Sequence, residues 1–291
     1  MKEIISFSRR TDGIAFYMDR FEKAIREEVI NVRNPINRKV YQVSLKPVDV
    51  AGFVLWSKDY HNFLNKWEIL IKYNYNQVNL ISSKRIPVYF QFTRNSSCKV
   101  LEPLVPSLEK SFSQLKQLVE ITSPDHIMWR FDPIIFWKED EVLVNNLIDF
   151  KEIAIQFAEV GVRRCTISFA TYYPKVERRM EKNLIDYHKP NIKEKIKTIK
   201  NLIDIAFQYR IKIYSCCNPE LLTIKGLFPA HCIDGNYLKK LWNTKLSIAK
   251  DFGQREACGC TKSRDIGGYG KDWQCHHGCL YCYANPKSGI S

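Results

Sequence analysis

Six short runs of β-branched and aromatic residues recur through the first three quarters of the chain. They are EIISFS (Glu3 to Ser8), AGFVLWS (Ala51 to Ser57), VYFQFT (Val88 to Thr93), HIMWRF (His126 to Phe131), CTISFA (Cys165 to Ala170) and IKIYSC (Ile211 to Cys216). Between them, apolar positions repeat with a helical period, which predicts helices over Ile14 to Glu28, Asn62 to Lys72, Pro106 to Ile121, Val142 to Glu159 and Ile192 to Phe207. Strands that alternate with helices of this length indicate βα units and parallel pairing. Six units predict an α/β fold, a partial (β/α)6 TIM-like barrel over residues 1–217; a closed eight-stranded barrel needs two more.

Beyond Cys216 the pattern breaks. Residues 218–291 are loop-rich, with one modest helix expected from Asn236 to Trp242, and Gly259 to Trp273 carries four glycines and no apolar period. Such a segment is poorly suited to making its own core, and a bound metal would supply ordering energy that burial does not. It is expected to form a cysteine-rich cap packed on the barrel mouth.

Composition narrows the class. The 291 residues are 45% apolar and 26% charged, an ordinary globular balance. No apolar run is long enough to cross a bilayer, and MKEIISFSRR reads as neither signal peptide nor anchor, so a cytoplasmic protein without membrane attachment is expected. The net charge of +14 favours a polyanionic partner, nucleic acid or a phosphorylated small molecule, although the lysines are spread along the chain rather than gathered in a basic tail.

The ten cysteines change the picture most. Cys98 and Cys165 stand apart as ordinary core or surface thiols, and the other eight crowd into the last 76 residues. Without the features of a small secreted scaffold, this clustering reads as metal ligation. QCHHGCLYCYAN (Gln274 to Asn285) spaces Cys275, Cys279 and Cys282 as C-x3-C-x2-C. Three thiolates can cradle a [4Fe–4S] cluster and leave one iron open, with Gly278 allowing a tight turn and Tyr281 shielding the site. Zinc is the alternative: Cys279-x2-Cys282 is a common half-site that Cys258, Cys260 and His276 or His277 could complete. Cys216, Cys232, Cys258 and Cys260 form a second candidate set, able to saturate a [4Fe–4S] cluster or a zinc ion. Cys217 reads as a small buried apolar residue.

The C-x3-C-x2-C spacing with an aromatic residue before the last cysteine resembles the cluster signature of radical S-adenosylmethionine enzymes, and GCLYCYAN is similar to spore photoproduct lyase-like members. That resemblance implies catalytic and metal-binding roles for Cys275, Cys279 and Cys282, reductive cleavage of S-adenosyl-L-methionine to a 5′-deoxyadenosyl radical, hydrogen abstraction from a substrate, and a flavodoxin- or ferredoxin-type reductant. In that superfamily the loop generally follows the first strand; here the first strand ends in SRRTD, and the motif arrives after the sixth. The usual glycine-glycine-glutamate cofactor motif is replaced by WSKD. Over almost its whole length the chain also resembles a prokaryotic family known as domain of unknown function 1848. The matching pieces are ISFSRRTDGIAFY, VRNP, VLWSKD, YFQFT, WRFDPI, ISF, HCID, ACGC, SRDIGGY and CHHGCLYCYAN. That likeness favours Cys216 over Cys217 as a ligand.

Polar residues stand where the strands run out, the end at which barrels place their chemistry. Arg9, Arg10 and Arg130 can clamp a carboxylate or phosphate. Asp12 and Asp132 suit ribose hydroxyls or an ammonium group, or pair with those arginines. Gln91 and Thr93 suit neutral polar recognition, and Lys58 can meet a cofactor carboxylate. Two other readings are a non-catalytic zinc or iron–sulfur protein that binds nucleic acid, and an iron–sulfur protein that only transfers electrons.

Overall fold

The computed structural model describes residues 1–72, 87–284 and 286. In chain order the strands are β1 (Glu3–Phe7), β2 (Val29–Arg33), β3 (Val40–Ser44), β4 (Val50–Ser57), β5 (Val88–Thr93), β6 (Ile127–Ile134), β7 (Phe136–Glu139), β8 (Val142–Asn145), β9 (Arg164–Phe169), β10 (Asp186–His188), β11 (Lys212–Ser215), β12 (Leu227–Pro229) and β13 (Arg264–Asp265). The helices are α1 (Gly13–Phe16), α2 (Met18–Glu27), α3 (His61–Lys72), α4 (Leu108–Ile121), α5 (Phe150–Glu159), α6 (Pro174–Lys182), α7 (Ile192–Gln208) and α8 (Gly235–Leu241). Among the described residues no helix is long and apolar enough to cross a membrane.

The fold is mixed α/β around one eight-stranded sheet, ordered β12-β11-β9-β6-β5-β4-β1-β13, with every pairing parallel. All six strands expected from sequence lie in it. The two additional strands, β12 and β13, come from the C-terminal segment and form its edges, and no pairing joins them among the described residues.

Alternation along each strand sends neighbouring residues to opposite faces. Ile5, Phe53, Phe90, Trp129 and Ile167 belong to the larger core, with Phe21, Phe63, Leu115, Phe157 and Leu202 from the helices. Ile4, Val54, Tyr89 and Met128 point the other way, onto Ala230, Cys232, Ile233, Leu238, Trp242, Cys258 and Cys260. The C-terminal segment therefore covers the sheet face opposite the helices, as a fully parallel sheet requires.

Gly52 marks its closest approach: a Cβ there would lie 2.5 Å from the Trp242 ring. Gly52→Ala is expected to cost about 1–3 kcal/mol through overpacking, read as a lower urea midpoint. An unchanged midpoint would mean that Trp242 is not held against β4.

One predicted helix begins too early. Val142 to Asn145 is strand β8, paired with β7 through a two-residue turn in which Asp140 and Glu141 both have positive φ, 47° and 63°. A turn of this hand matches the twist of a hairpin, so the β-branched VLVN pairs back and the helix starts at Phe150.

Candidate metal centres

The same alternation selects what meets the cysteines. Trp56, Gln91 and Arg130 share the face of Val54, Tyr89 and Met128, at the C-terminal ends of their strands. Gln91 Nε2 donates to the Cys232 carbonyl at 2.5 Å. Arg130 Nη1 donates to Cys232 Sγ at 3.0 Å, and its guanidinium lies 4.9 Å from the Trp56 ring centre. Its other arm bonds to Asp132, which also accepts from Ser168. Thr93, half-buried, stands opposite Arg130 in the β5–β6 register.

Cys216 Sγ is 3.7 Å from Cys217 Sγ and 3.8 Å from Cys232 Sγ, and Cys258 and Cys260 are buried in the same cluster. Hydrogen bonds from Cys216 and Cys260, reinforced by Arg130, hold the Cys232 thiol well below its usual range. A hydrogen bond from Cys260 brings Cys258 down to about 6. Cys216 and Cys260, as the donors, are pushed up. Cys217 is half-buried rather than buried, in a left-handed backbone of φ 54°. Arg9 and Arg10 turn toward the C-terminal segment, not toward an open pocket: Arg9 Nη2 reaches Ser263 Oγ at 2.9 Å and Asp251 at 3.3 Å, while Arg10 reaches the Gly267 carbonyl at 3.1 Å.

The C-terminal triplet lies by the ends of β1 and β4. Gly278, at φ 70°, makes the turn before the buried Cys279. Asp12 ties this loop down. Its carboxylate accepts from Ser57 Oγ at 2.7 Å, Lys58 N at 2.9 Å and Ala15 N at 3.0 Å, and pairs with His277 Nε2 at 2.8 Å. The backbone N–H groups of His277 and Asp12 favour the Cys275 thiolate, but burial outweighs them and raises that thiol to about 12. Four protein groups thus occupy the Asp12 oxygens.

Beside Cys279, Lys58 Nζ pairs with Glu102 at 3.0 Å, and Glu102 also accepts from Asn95 Nδ2 at 2.7 Å and from Tyr281. Burial alone would lower the Lys58 ammonium, but Glu102 and Cys279 more than reverse that. Arg179 Nη1 holds the Leu280 and Cys282 carbonyls at 2.9 and 2.8 Å. Glu102, Asn95 and Arg179 carried no sequence signal as site residues, and His277 stood out only as a zinc-ligand candidate: a lone glutamate in LEPLVP or an arginine in an amphipathic helix reads as surface charge.

Burial opposes ionisation of Glu102, yet Lys58, Tyr281 and Asn95 hold its carboxyl below the ordinary 4.5. A depressed carboxyl contributes stability above its unfolded value and loses it as pH falls through the folded one. Acidification below 4.5 is therefore expected to weaken the wild type more steeply than Glu102→Gln, measured by urea midpoints across pH. Parallel profiles would dismiss the ion pair as a source of acid sensitivity.

The donor chemistry suits thiophilic metals. Seven thiols fall into sets of four and three, and the buried His277 Nδ1 lacks a protein partner. Among the described residues, however, no three His, Cys, Asp or Glu side chains already surround a common point. Fold and site together define a mixed α/β protein whose C-terminal segment brings two cysteine groups to the ends of a parallel sheet. The chain belongs to the family described as domain of unknown function DUF1848, which matches residues 4–284. Comparison with curated proteins and with solved structures gives no match.

Proposed function

We propose that the chain is an iron–sulfur enzyme of the radical S-adenosylmethionine type on a partial, barrel-like (β/α) sheet. Seven of its strands, β1 to β12, neighbour one another in chain order with helices packed on one face, in keeping with such an architecture. The observation that carries the reading is the contact of the late cysteine loop with the end of the first strand. His277 pairs with Asp12 at 2.8 Å, which supports the reading because the resembling enzymes carry their cysteine loop after the first strand.

Cys275, Cys279 and Cys282 would hold a [4Fe–4S] cluster and leave one iron without a protein thiolate. When bound with S-adenosyl-L-methionine, such a cluster supplies reductive cleavage and hydrogen-atom abstraction, given an electron from a flavodoxin- or ferredoxin-type donor. Lys58 keeps a cation beside Cys279, Asp12 fixes the loop, and Tyr281 and Leu280 exclude water from it. The net charge of +14 favours an anionic substrate, either a phosphorylated metabolite or nucleic acid.

Anaerobic purification with iron, sulfide and zinc analysis tests the cluster, and 5′-deoxyadenosine formation with dithionite and S-adenosyl-L-methionine tests the chemistry. About four irons with matching sulfide on the triplet are expected. Zinc alone, without iron or sulfide, would sink the proposal.

A further inference from the structure

The four cysteines outside the triplet occupy the sheet face opposite the helices, and their spacing restricts what they can share. Cys232 is central: its sulfur lies 3.8 Å from Cys216 Sγ, and Cys258 and Cys260 are buried in the same cluster. In a tetrahedral site with metal–sulfur bonds of about 2.3 Å, sulfurs on one ion stand about 3.8 Å apart. In a cubane each thiolate caps a different iron, so the iron–sulfide core holds the cysteines apart. Cys216 and Cys232 stand at the one-ion spacing, and a single ion would draw Cys258 and Cys260 into a tetrahedron with them.

The surroundings fit an anion. Arg130 Nη1 donates to Cys232 Sγ at 3.0 Å, and the Ile233 N–H points at Cys260 Sγ at 3.5 Å. The charge of Arg9 is felt by Cys260 and Cys232, and that of Arg255 by Cys217, Cys216 and Cys258. Four thiolates on a divalent ion carry a net charge of about −2, and Arg130, Arg9 and Arg255 bring positive charge to that side, the first two also paired with Asp132 and Asp251. The same sulfurs are closed to solvent chemistry: Cys216, Cys232, Cys258 and Cys260 are 9, 7, 8 and 2% exposed. Thiols that work by exchange or oxidation sit in accessible positions instead. The local backbone is also shaped for close approach, since a Cβ on Gly259, between Cys258 and Cys260, would lie 2.6 Å from His231 Nε2.

We propose that Cys216, Cys232, Cys258 and Cys260 form a mononuclear tetrathiolate site for a zinc-class divalent ion, which fastens the C-terminal segment to the sheet. Cys217, half-buried where those four are buried and held in a left-handed backbone, is not a ligand. The site uses none of the triplet cysteines and stands independently of the proposed catalytic function.

The test is the full chain with Cys275, Cys279 and Cys282 all replaced by alanine, purified anaerobically and assayed for metals and acid-labile sulfide. About one zinc, or one iron without sulfide, is expected per chain. Cys217→Ser added to this background should keep it, and Cys232→Ser should lose it. Because Cys232→Ser could unfold, cobalt(II) is also added to chelator-stripped triplet variant. Tetrahedral thiolate–cobalt absorption is expected at one equivalent. Four irons with sulfide, a Cys216–Cys232 disulfide in place of metal, loss of metal with Cys217→Ser, or octahedral cobalt spectra would each overturn the assignment. Failure of the triplet to hold iron in the wild type would instead count only against the catalytic proposal.

Discussion

Replacing Cys279 by alanine is expected to remove the iron and sulfide bound at the C-terminal loop while metal held by the upper four cysteines remains. Cys279 is the most buried of the three, at the turn between Gly278 and Leu280, with the charges of Glu102 and Lys58 acting on it. Loss of outer-shell partners alone typically costs 10–100-fold in metal affinity or activity; removing a ligand should lower 5′-deoxyadenosine formation by more than about 100-fold. Lys58 and Glu102 neutralise each other, so the substitution leaves no unpaired buried charge and the fold should persist by circular dichroism. Full retention of iron would refute the ligand assignment. Loss of both metals would refute the division into two sites.

The largest effect on stability is expected from Trp129→Ala. This side chain is fully buried on the helical face of β6, stacked on Phe150 and Phe157 with ring centres 5.0 Å from each. Its indole N–H donates to the Arg94 carbonyl at 2.9 Å. Removing a buried aromatic of this size costs about 3–5 kcal/mol, and here it also leaves the Arg94 carbonyl without that donor. Urea denaturation should show the midpoint falling with little change in slope. A loss below about 1 kcal/mol would mean that the core collapses freely into the space.

Trp129 also illustrates why the central strands were legible in sequence. HIMWRF alternates residues for two buried faces, and such runs keep their meaning wherever they pair. The edge strands were not legible: β12 has three residues ending in Pro229, and β13 has two in a glycine-rich stretch, too short for any period. VLVN was absorbed into the helix after it because its partner depends on the turn at Asp140 and Glu141.

The sites were legible as residue types and not as pairings. Cys232 and Arg130 both stood out, but their contact across 102 positions follows from strand parity and the return of the C-terminal segment. Asp12 stood out as a candidate ligand for a ribose or ammonium group, whereas its oxygens bind Ser57, Lys58, Ala15 and His277. Glu102 gains its importance only from burial beside Lys58.

The pairing of β1 with β13 has a consequence for how the protein is made. Ile5 and Ser6 face Arg264 and Asp265, and Asp265 then accepts from Ser6, Ser8 and the Arg9 backbone. Contacts this far apart in the chain form late, and the first strand leaves the ribosome long before its neighbour exists. Until residue 265 emerges, β1 presents one open edge, a template for pairing with another nascent chain. Edge closure and assembly of the loop anchored by Asp12 are thus expected to follow one another closely, once residues 264–282 have emerged.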